Sequence, residues 1–271
     1  MKILFIGGGN MATAIVGGLL QQGHAPTEIG VVDIVAEARE RWSAQHHVQV
    51  FSEPTAAALS SPLIVLAVKP QQLADVATTI AGKLTNQLVI SIAAGIRSTD
   101  LSRWLNGYQN IVRVMPNTPA LVQAGVAGLC ALPNVTPADR ARAEALMRSV
   151  GEVIWVENEE AIDAVTAVSG SGPAYVFYFI EALERAAREL GLDAAAARTL
   201  SLHTFSGAAK LALGSNESAA VLRARVTSKG GTTERALLDL EQSQVGKHFV
   251  AAVRAAAERS RELGDEFGKS R

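Results

Sequence analysis

Continuous apolar runs and helical patterns alternate along the first half of the chain. Runs of this kind, without polar residues in between, are typical of parallel strands buried on both faces. Segments with helical spacing and short connections lie between them, which predicts an α/β fold with a doubly wound, mostly parallel sheet. The runs cover residues 2–6, 29–32, 63–68, 88–92 and 111–115, and 48–51, 125–132 and 153–156 add further predicted strands.

The first apolar run leads into three glycines, Gly7 to Gly9, and then into a helical pattern. Gly7, Gly9 and Ala12 fit the G-x-G-x-x-G/A dinucleotide fingerprint, in which the turn is tight and the backbone approaches a pyrophosphate closely. The following helix would direct its free N–H groups and positive dipole end at the phosphates. The alternative is that these glycines only form a tight turn. Position favours nucleotide binding, because the turn directly follows a predicted buried strand.

Asp33 ends the second apolar run, about twenty residues beyond Ala12, the spacing at which a carboxylate accepts hydrogen bonds from the coenzyme ribose. A carboxylate there repels a 2′-phosphate and favours NADH. Arg39 follows within reach of such a phosphate and would favour NADPH. The sequence leaves the choice between NADPH and NADH open.

The pattern changes near residue 159, after which the chain is helical almost throughout. We therefore predict a Rossmann-type domain at 1–158 and an all-helical domain at 159–271. The helix over 174–190 is apolar on every side at 175–180, and such a helix must be surrounded. We expect a partner subunit to complete its core. The segment 169–175, Ser-Gly-Ser-Gly-Pro-Ala-Tyr, is predicted as a flexible turn opening this helix, either as a cap or as a substrate contact. The other helices are predicted over 161–168, 194–213, 219–226, 232–240 and 246–267.

Composition narrows the function classes. The 271 residues suggest two domains, 48% of them are hydrophobic, and the net charge of −1 without a Lys/Arg-rich run argues against nucleic acid. The sequence contains no run of eighteen apolar residues, so no membrane span is predicted. The one cysteine, Cys130, cannot form an internal disulfide, which favours the cytoplasm. His203 and His248 have no partners at ligand spacing, so no metal site is expected.

Polar and proline residues follow two of the predicted strands. Lys69 and Pro70 come after one, and Asn117 and Thr118 after another. The carboxyl ends of strands face the ligand crevice in a doubly wound fold. Pro70 would shape the backbone against the nicotinamide ribose, and Asn117 and Thr118 offer hydrogen-bonding groups beside the ring. The alternative is a solvated Lys69 and prolines that only end strands.

A second candidate site lies late in the chain, at the start of the helix predicted from residue 232. Its glycines and hydroxyls form a compact anion cradle at a helix N-terminus: Ser228, Gly230, Gly231, Thr232 and Thr233. The segment is too short for a Walker-type phosphate loop, and a small carboxylate fits better. The alternative is an elaborate helix cap.

Five segments occur in one order over nearly the whole chain, and together they resemble pyrroline-5-carboxylate reductase, the last enzyme of proline biosynthesis. They are Gly7-Gly8-Gly9-Asn10-Met11, Ala67-Val68-Lys69-Pro70, Val114 to Pro119, Ser169 to Tyr175 and Val226 to Thr233. The resemblance implies reduction of the cyclic imine Δ1-pyrroline-5-carboxylate to L-proline with NADPH or NADH, and it implies a tendency toward NADPH. It also implies a Rossmann domain followed by a helical domain that interlocks with a second subunit; some members assemble dimers into decamers.

By this resemblance, the coenzyme would contact Ile6 to Met11 and Ala67 to Pro70, and the substrate carboxylate would be held by Ser228, Thr232 and Thr233. With the positions argued above, the candidate coenzyme set is Ile6, Gly7, Gly8, Gly9, Asn10, Met11, Asp33, Ala67, Val68, Lys69, Pro70 and Asn117. The family often has proline where Lys229 and Ala219 stand, which leaves the shape of the substrate loop open. Assembly beyond a dimer and regulation by proline are also open.

The expected chemistry needs no catalytic acid. Ketone reduction produces an alkoxide and requires a proton donor; the related 3-hydroxyacid dehydrogenases carry a lysine one turn into the helix where this chain has Tyr175 to Tyr178. A protonated imine is already electrophilic, so orientation, a carboxylate anchor and exclusion of water suffice. Two alternatives are a carbonyl-reducing relative and a non-catalytic nucleotide sensor that binds a regulatory carboxylate in the cradle.

Overall fold

The computed structural model of the chain describes residues 2–269. They form two compact units. The first contains the described residues up to 171 together with those from 256 onward, and the second is Gly172–Ala255. Among the described residues, no helix is long and apolar enough to cross a membrane.

The first unit is built on one sheet. Its strands are β1 (Ile3–Ile6), β2 (Ile29–Val32), β3 (Gln49–Phe51), β4 (Leu63–Leu66), β5 (Leu88–Ser91), β6 (Ile111–Met115), β7 (Gly125–Ala131) and β8 (Gly151–Trp155). Within the described residues the eight strands lie in the order β3-β2-β1-β4-β5-β6-β7-β8. All neighbours pair in parallel except β6 and β7. That pair is antiparallel because only the short 3₁₀ turn Thr118–Val122 joins it, with no crossover helix.

Helices cover both faces of this sheet. They are α1 (Asn10–Gln21), α2 (Ala36–His46), α3 (Ala56–Leu59), α4 (Pro70–Ile80), α5 (Ser98–Trp104), α6 (Pro137–Arg148) and α7 (Glu159–Val165). Successive residues of β1 alternate between two hydrophobic clusters: Phe5 packs with Ile15 of α1, and Leu4 packs with Leu73 of α4. Every residue of β1, β2, β4 and β5 is buried. The predicted doubly wound, mostly parallel sheet is confirmed.

Two local predictions are wrong. The apolar run predicted as a strand over 63–68 leaves the sheet after Leu66, because the next residues turn against the glycine loop. The flexible turn predicted at 169–175 is instead helical: a π-helical turn, Thr166–Gly170, continues α7, and the next helix begins at Gly172. Gly170 packs so closely that a Cβ there would lie 2.5 Å from Met115 Cε.

The second unit is entirely helical within the described residues. Its helices are α8 (Gly172–Glu189), α9 (Ala194–Leu213), α10 (Ala219–Arg225), α11 (Thr232–Gln242) and the first part of α12 (Val245–Lys269). Gly191 ends α8 at a φ of +96°, where the Leu192 N–H bonds the Ala187 carbonyl at 3.1 Å. This is a Schellman cap, in which glycine adopts the left-handed conformation without strain.

The second unit has little core of its own. None of the residues of α8, α10 and α11, all of which the structure describes, is buried. On α8, Tyr175 and Phe179 pack edge-on against Phe249 of α12, each with a ring separation of 5.6 Å. The opposite face of α8 is exposed: Phe177 is 65% and Tyr178 67% accessible. An apolar face of this extent marks an interaction surface.

The end of α12 belongs to the first unit. Arg97, at the start of α5, forms an ion pair with Asp265 at 2.8 Å, and the Ser260 hydroxyl donates to Asp163 of α7 at 2.6 Å. The side chain of Phe267 joins one of the two hydrophobic clusters of the sheet. These contacts attach the C-terminal turns to α5 and α7.

Candidate active site

The candidate coenzyme residues lie at one edge of the sheet. The strand order reverses direction between β1 and β4, and the crevice beyond the carboxyl ends at such a point is the general ligand site of doubly wound sheets. Ile6 ends β1, Asp33 follows β2, Ala67 follows β4 and Asn117 follows β6. The structure therefore brings the predicted set to the same edge.

Gly7 must be glycine for two reasons. Its φ is +105°, a conformation that side chains rarely allow. Its N–H donates to the Val32 carbonyl at 2.9 Å, and a Cβ would lie 2.7 Å from the carbonyl atoms of Ala67 and 2.8 Å from the Val68 nitrogen. The turn is therefore fixed against the ends of β2 and β4.

Gly8 is held by polar contacts on both sides. Its N–H donates to Asp33 Oδ2 at 3.2 Å, and its carbonyl accepts from Trp42 Nε1 at 3.3 Å. A Cβ on Gly8 would overlap both side chains. Trp42 was not predicted from the sequence. The signal for it is its spacing from Ala38, because these two are the buried residues of the largely polar and charged α2.

Gly9 faces open space. It is the N-cap of α1, and a Cβ there would meet nothing within 4 Å. No side chain caps the first turn of α1, which contains Asn10 and Met11 and has no acidic residue. Space beside the backbone, an uncapped helix N-terminus and no competing anion are what a pyrophosphate requires, so these residues fit a dinucleotide.

The segment after β4 leads from the sheet into α4. Ala67 and Val68 are half-buried, Lys69 is exposed and is the N-cap of α4, and Pro70 is the first residue of that helix. Proline suits this position because its missing N–H would be unpaired in any case. Contacts of these residues with the coenzyme stay predictions.

Asn117 forms two side-chain hydrogen bonds within the fold that the sequence did not predict. Its side chain is buried; Oδ1 accepts from the Val126 N–H at 2.9 Å, and Nδ2 donates to the Ser169 carbonyl at 3.2 Å. The amide therefore joins the start of β7 to the π-helical turn. Direct contact with the nicotinamide stays a prediction.

A buried ion pair between β6 and α7 was also missed. Arg113 is 4% accessible at its side chain and pairs with Glu159, whose other carboxylate oxygen accepts from the Ser98 N–H at 3.1 Å. Glu159 thus joins β6, α5 and α7. An arginine within an apolar run indicates that a buried carboxylate will pair with it. The sequence does not show which Asp or Glu this is.

The anion cradle begins at a sharp turn before α11. Gly230 has a φ of +74°, Gly231 is the N-cap, and the Gly231 N–H bonds the Ser228 carbonyl at 3.0 Å. A Cβ on Gly231 would lie 2.5 Å from Ser228 Oγ, so the loop is tight. Thr232 is exposed and Thr233 half-buried in the first turn.

Glu234 was not predicted as part of the cradle. Its Oε2 accepts from the Gly230 N–H at 2.7 Å, one residue before the N-cap that the glutamate of a capping box would bond. This bond fixes the turn, so part of the cradle is a helix cap, as the alternative interpretation expected. The described residues contain no cluster of three or more His, Cys, Asp or Glu side chains able to hold a metal.

Known proteins match both halves of the chain. Residues 159–263 match the family model for pyrroline-5-carboxylate reductase dimerisation, and residues 2–95 match NADP oxidoreductase coenzyme F420-dependent. A pyrroline-5-carboxylate reductase of Pseudomonas aeruginosa is 41% identical over 269 residues, covering 99% of this chain and 98% of the relative. The chain belongs to the pyrroline-5-carboxylate reductase family. The resemblance predicted from the five segments is confirmed.

Solved structures agree with this membership. A pyrroline-5-carboxylate reductase from Coxiella burnetii has a TM-score of 0.92 at 42% identity, covering 97% of this chain and 98% of that one. The Plasmodium falciparum pyrroline carboxylate reductase, solved with NADP bound, has a TM-score of 0.86 at 30% identity, with coverage of 97% and 98%. The predicted Rossmann-type sheet followed by a helical dimerisation domain is confirmed, and that domain makes the protein a homo-oligomer.

Proposed function

We infer that this protein reduces Δ1-pyrroline-5-carboxylate to L-proline with NADPH or NADH, the final step of proline biosynthesis. The observation that carries this proposal is the full-length match to pyrroline-5-carboxylate reductases. The geometry agrees with it, since one chain combines a glycine turn suited to a dinucleotide with a loop suited to a small carboxylate.

The coenzyme end is assigned to the first unit. The pyrophosphate lies along Gly7 to Met11 at the N-terminus of α1, and Asp33 accepts hydrogen bonds from the adenosine ribose. The segment Ala67 to Pro70 and Asn117 border the nicotinamide half. When bound, the dihydronicotinamide supplies the hydride that reduces the C=N carbon.

The substrate end is assigned to the cradle. Ser228 and Thr233 donate hydrogen bonds to the carboxylate, Thr232 contributes its backbone N–H at the start of α11, and Gly230 and Gly231 shape the loop around the ligand. The ring nitrogen enters with its proton, and the C=N electron pair becomes the lone pair of the product amine. The site therefore requires orientation and exclusion of water but no side-chain acid.

The remaining assignments follow from this function. We divide the chain into a dinucleotide-binding domain at 1–158 and a substrate-binding and dimerisation domain at 159–271. The assembly is a homodimer, with higher oligomers built from dimers left open. Cytoplasmic location agrees with Cys130, a buried thiol whose pKa is raised by burial, which makes it unreactive.

The test is an absorbance assay of NADPH and NADH oxidation with three additions: the imine, an open-chain 2-keto acid of similar size, and buffer. The proposal expects oxidation with the imine, formation of L-proline in equal amount, and little reaction with the keto acid. Faster reduction of the keto acid would assign the protein to the carbonyl-reducing class. Coenzyme binding without turnover of either substrate would assign it to the sensor class.

A further inference from the structure

We propose that this protein selects NADH over NADPH, and that Asp33 is the residue that rejects the 2′-phosphate. The proposal rests on the coenzyme site assigned above. It adds the identity of the coenzyme, which the sequence leaves open because Asp33 and Arg39 point to opposite choices.

The carboxylate of Asp33 is fixed in place by the backbone. Its Oδ2 accepts from the Gly8 N–H at 3.2 Å, and its Oδ1 accepts from the Val35 N–H at 2.9 Å. Each carboxylate oxygen can accept a further hydrogen bond. Two fixed oxygens at the end of β2 therefore suit the two hydroxyls of an adenosine ribose, as in NADH.

The same geometry rejects NADPH. A 2′-phosphate near neutral pH carries about −1.5 to −2 charges and only acceptor oxygens. Placed where the ribose hydroxyl bonds Asp33, it would meet a like charge that cannot turn away, because both oxygens are held by the glycine loop and by Val35. Accepting the phosphate would require breaking these two bonds.

Arg39, the cation nearest in sequence, is already engaged. Its Nη1 donates to the main-chain carbonyl of Asp33 at 2.8 Å, and its side chain is half-buried. The guanidinium thus supports the backbone beneath the carboxylate. This bond uses one of the five N–H donors of Arg39 and holds that nitrogen at the backbone of residue 33.

The side chains of the two residues after Asp33 cannot bind a phosphate. Ile34 is 80% and Val35 48% accessible, and neither apolar side chain can donate a hydrogen bond. The Val35 N–H is occupied by Asp33. Where NADPH is preferred, this region provides a cation for the 2′-phosphate. Here the fixed anion Asp33 and two apolar side chains follow β2, and the cation Arg39 bonds the backbone of residue 33.

The experiment is isothermal titration calorimetry with NAD⁺ and NADP⁺ on the purified full-length protein. We compare the wild type, Asp33→Asn, and the control Glu37→Gln, which removes the same charge from an exposed position on the first turn of α2. The wild type should bind NAD⁺ about tenfold or more tightly than NADP⁺. Asp33→Asn should lower this ratio by about ten- to a hundredfold, the effect of one charged hydrogen-bonding group. Glu37→Gln should leave the ratio unchanged.

Three results would overturn the proposal: equal or tighter binding of NADP⁺ by the wild type, an unchanged ratio in Asp33→Asn, or an Arg39→Gln variant that loses NADP⁺ affinity alone. If Asp33→Asn fails to fold, as judged by circular dichroism, Asp33→Ser replaces it. Steady-state rates with the imine separate the two proposals. Selective NAD⁺ binding without imine reduction contradicts the proposed function only, whereas equal kcat/KM for NADH and NADPH contradicts the selectivity only.

Discussion

At the scale of residues, the three successive glycines of the turn have three different constraints. Gly7 is required by its positive φ and by the backbone of Ala67, and Gly8 by the side chains of Trp42 and Asp33. A Cβ on Gly9 would have no neighbour within 4 Å, so the fold itself does not require glycine there, and we attribute the requirement to the proposed coenzyme. Substitutions should therefore separate stability from coenzyme binding within one tripeptide.

Replacing Gly9 with valine tests this separation. The variant should fold, since its φ of −77° is open to any residue and the space is free. Its methyl groups would lie where the pyrophosphate passes, and we expect coenzyme affinity to fall about a hundredfold or more through lost backbone hydrogen bonds. Gly17→Val on the same helix, also in open space, is the control and should bind normally. Calorimetry measures both, and near-normal binding by Gly9→Val would remove the fingerprint from the site.

Thr233→Ala tests the cradle. Losing a hydrogen bond to the substrate carboxylate should raise KM for the imine, or lower kcat/KM, about ten- to a hundredfold. Thr233→Ser, which keeps the hydroxyl, should restore most of the activity, and dinucleotide affinity should not change. L-proline should raise the Tm of the wild type more than that of the alanine variant. Intact imine kinetics with reduced NADPH or NADH affinity would assign the cradle to the coenzyme.

At the scale of elements, the apolar runs predicted the parallel strands well because those strands are buried and consist almost entirely of apolar residues. The end of β4 was missed for the same reason: Ala67 and Val68 are as apolar as a strand, yet they pack on Gly7 outside the sheet. A local sequence pattern does not show which distant residues will form an ion pair. Nothing near Arg113 indicates that Glu159, 46 residues later, neutralises it.

Glu159→Ala tests that pair. Removing one partner leaves the buried Arg113 without its counter-charge and the Ser98 N–H without its acceptor. We expect the free energy of unfolding to fall by roughly 2–4 kcal/mol. Glu160→Ala is the matched control, because Glu160 is exposed in the same first turn of α7 and carries the same charge near the helix dipole. Urea denaturation at equal protein concentration gives both values; equal losses would mean that the pair stabilises nothing beyond the helix.

At the scale of the whole molecule, the sequence predicted a need for a partner but could not specify the surface. The segment 175–180 is apolar on every side, so its spacing does not indicate which face turns inward. In the structure Tyr175 and Phe179 contact Phe249, and Phe177 and Tyr178 are left exposed. The role of the cradle residues also depends on tertiary and quaternary placement, which local patterns do not contain.

Phe177→Asp tests this exposed face. If the ring is buried in the homodimer, a charge at this position should weaken association. The symmetric interface contains the residue twice, and each copy should lose about 1.5–3 kcal/mol of the free energy gained by burying the apolar ring. The wild type should stay dimeric on dilution, and the variant should dissociate and show a lower, concentration-dependent Tm. Glu181→Gln, at an exposed polar position of α8, is the control. Light scattering that finds a folded wild-type monomer at low concentration would contradict the prediction.

The attachment of the last turns of α12 to α5 and α7 has a consequence for how the chain is made. The sheet is synthesised first, yet Arg97 and Asp163 bond Asp265 and Ser260 of α12, far later in the chain. The strands leave the ribosome before these residues do, so part of the surface of the first unit stays uncovered during synthesis. A chain interrupted after residue 255 would carry all eight strands but lack this cover, and it is the species that quality-control proteases should remove first.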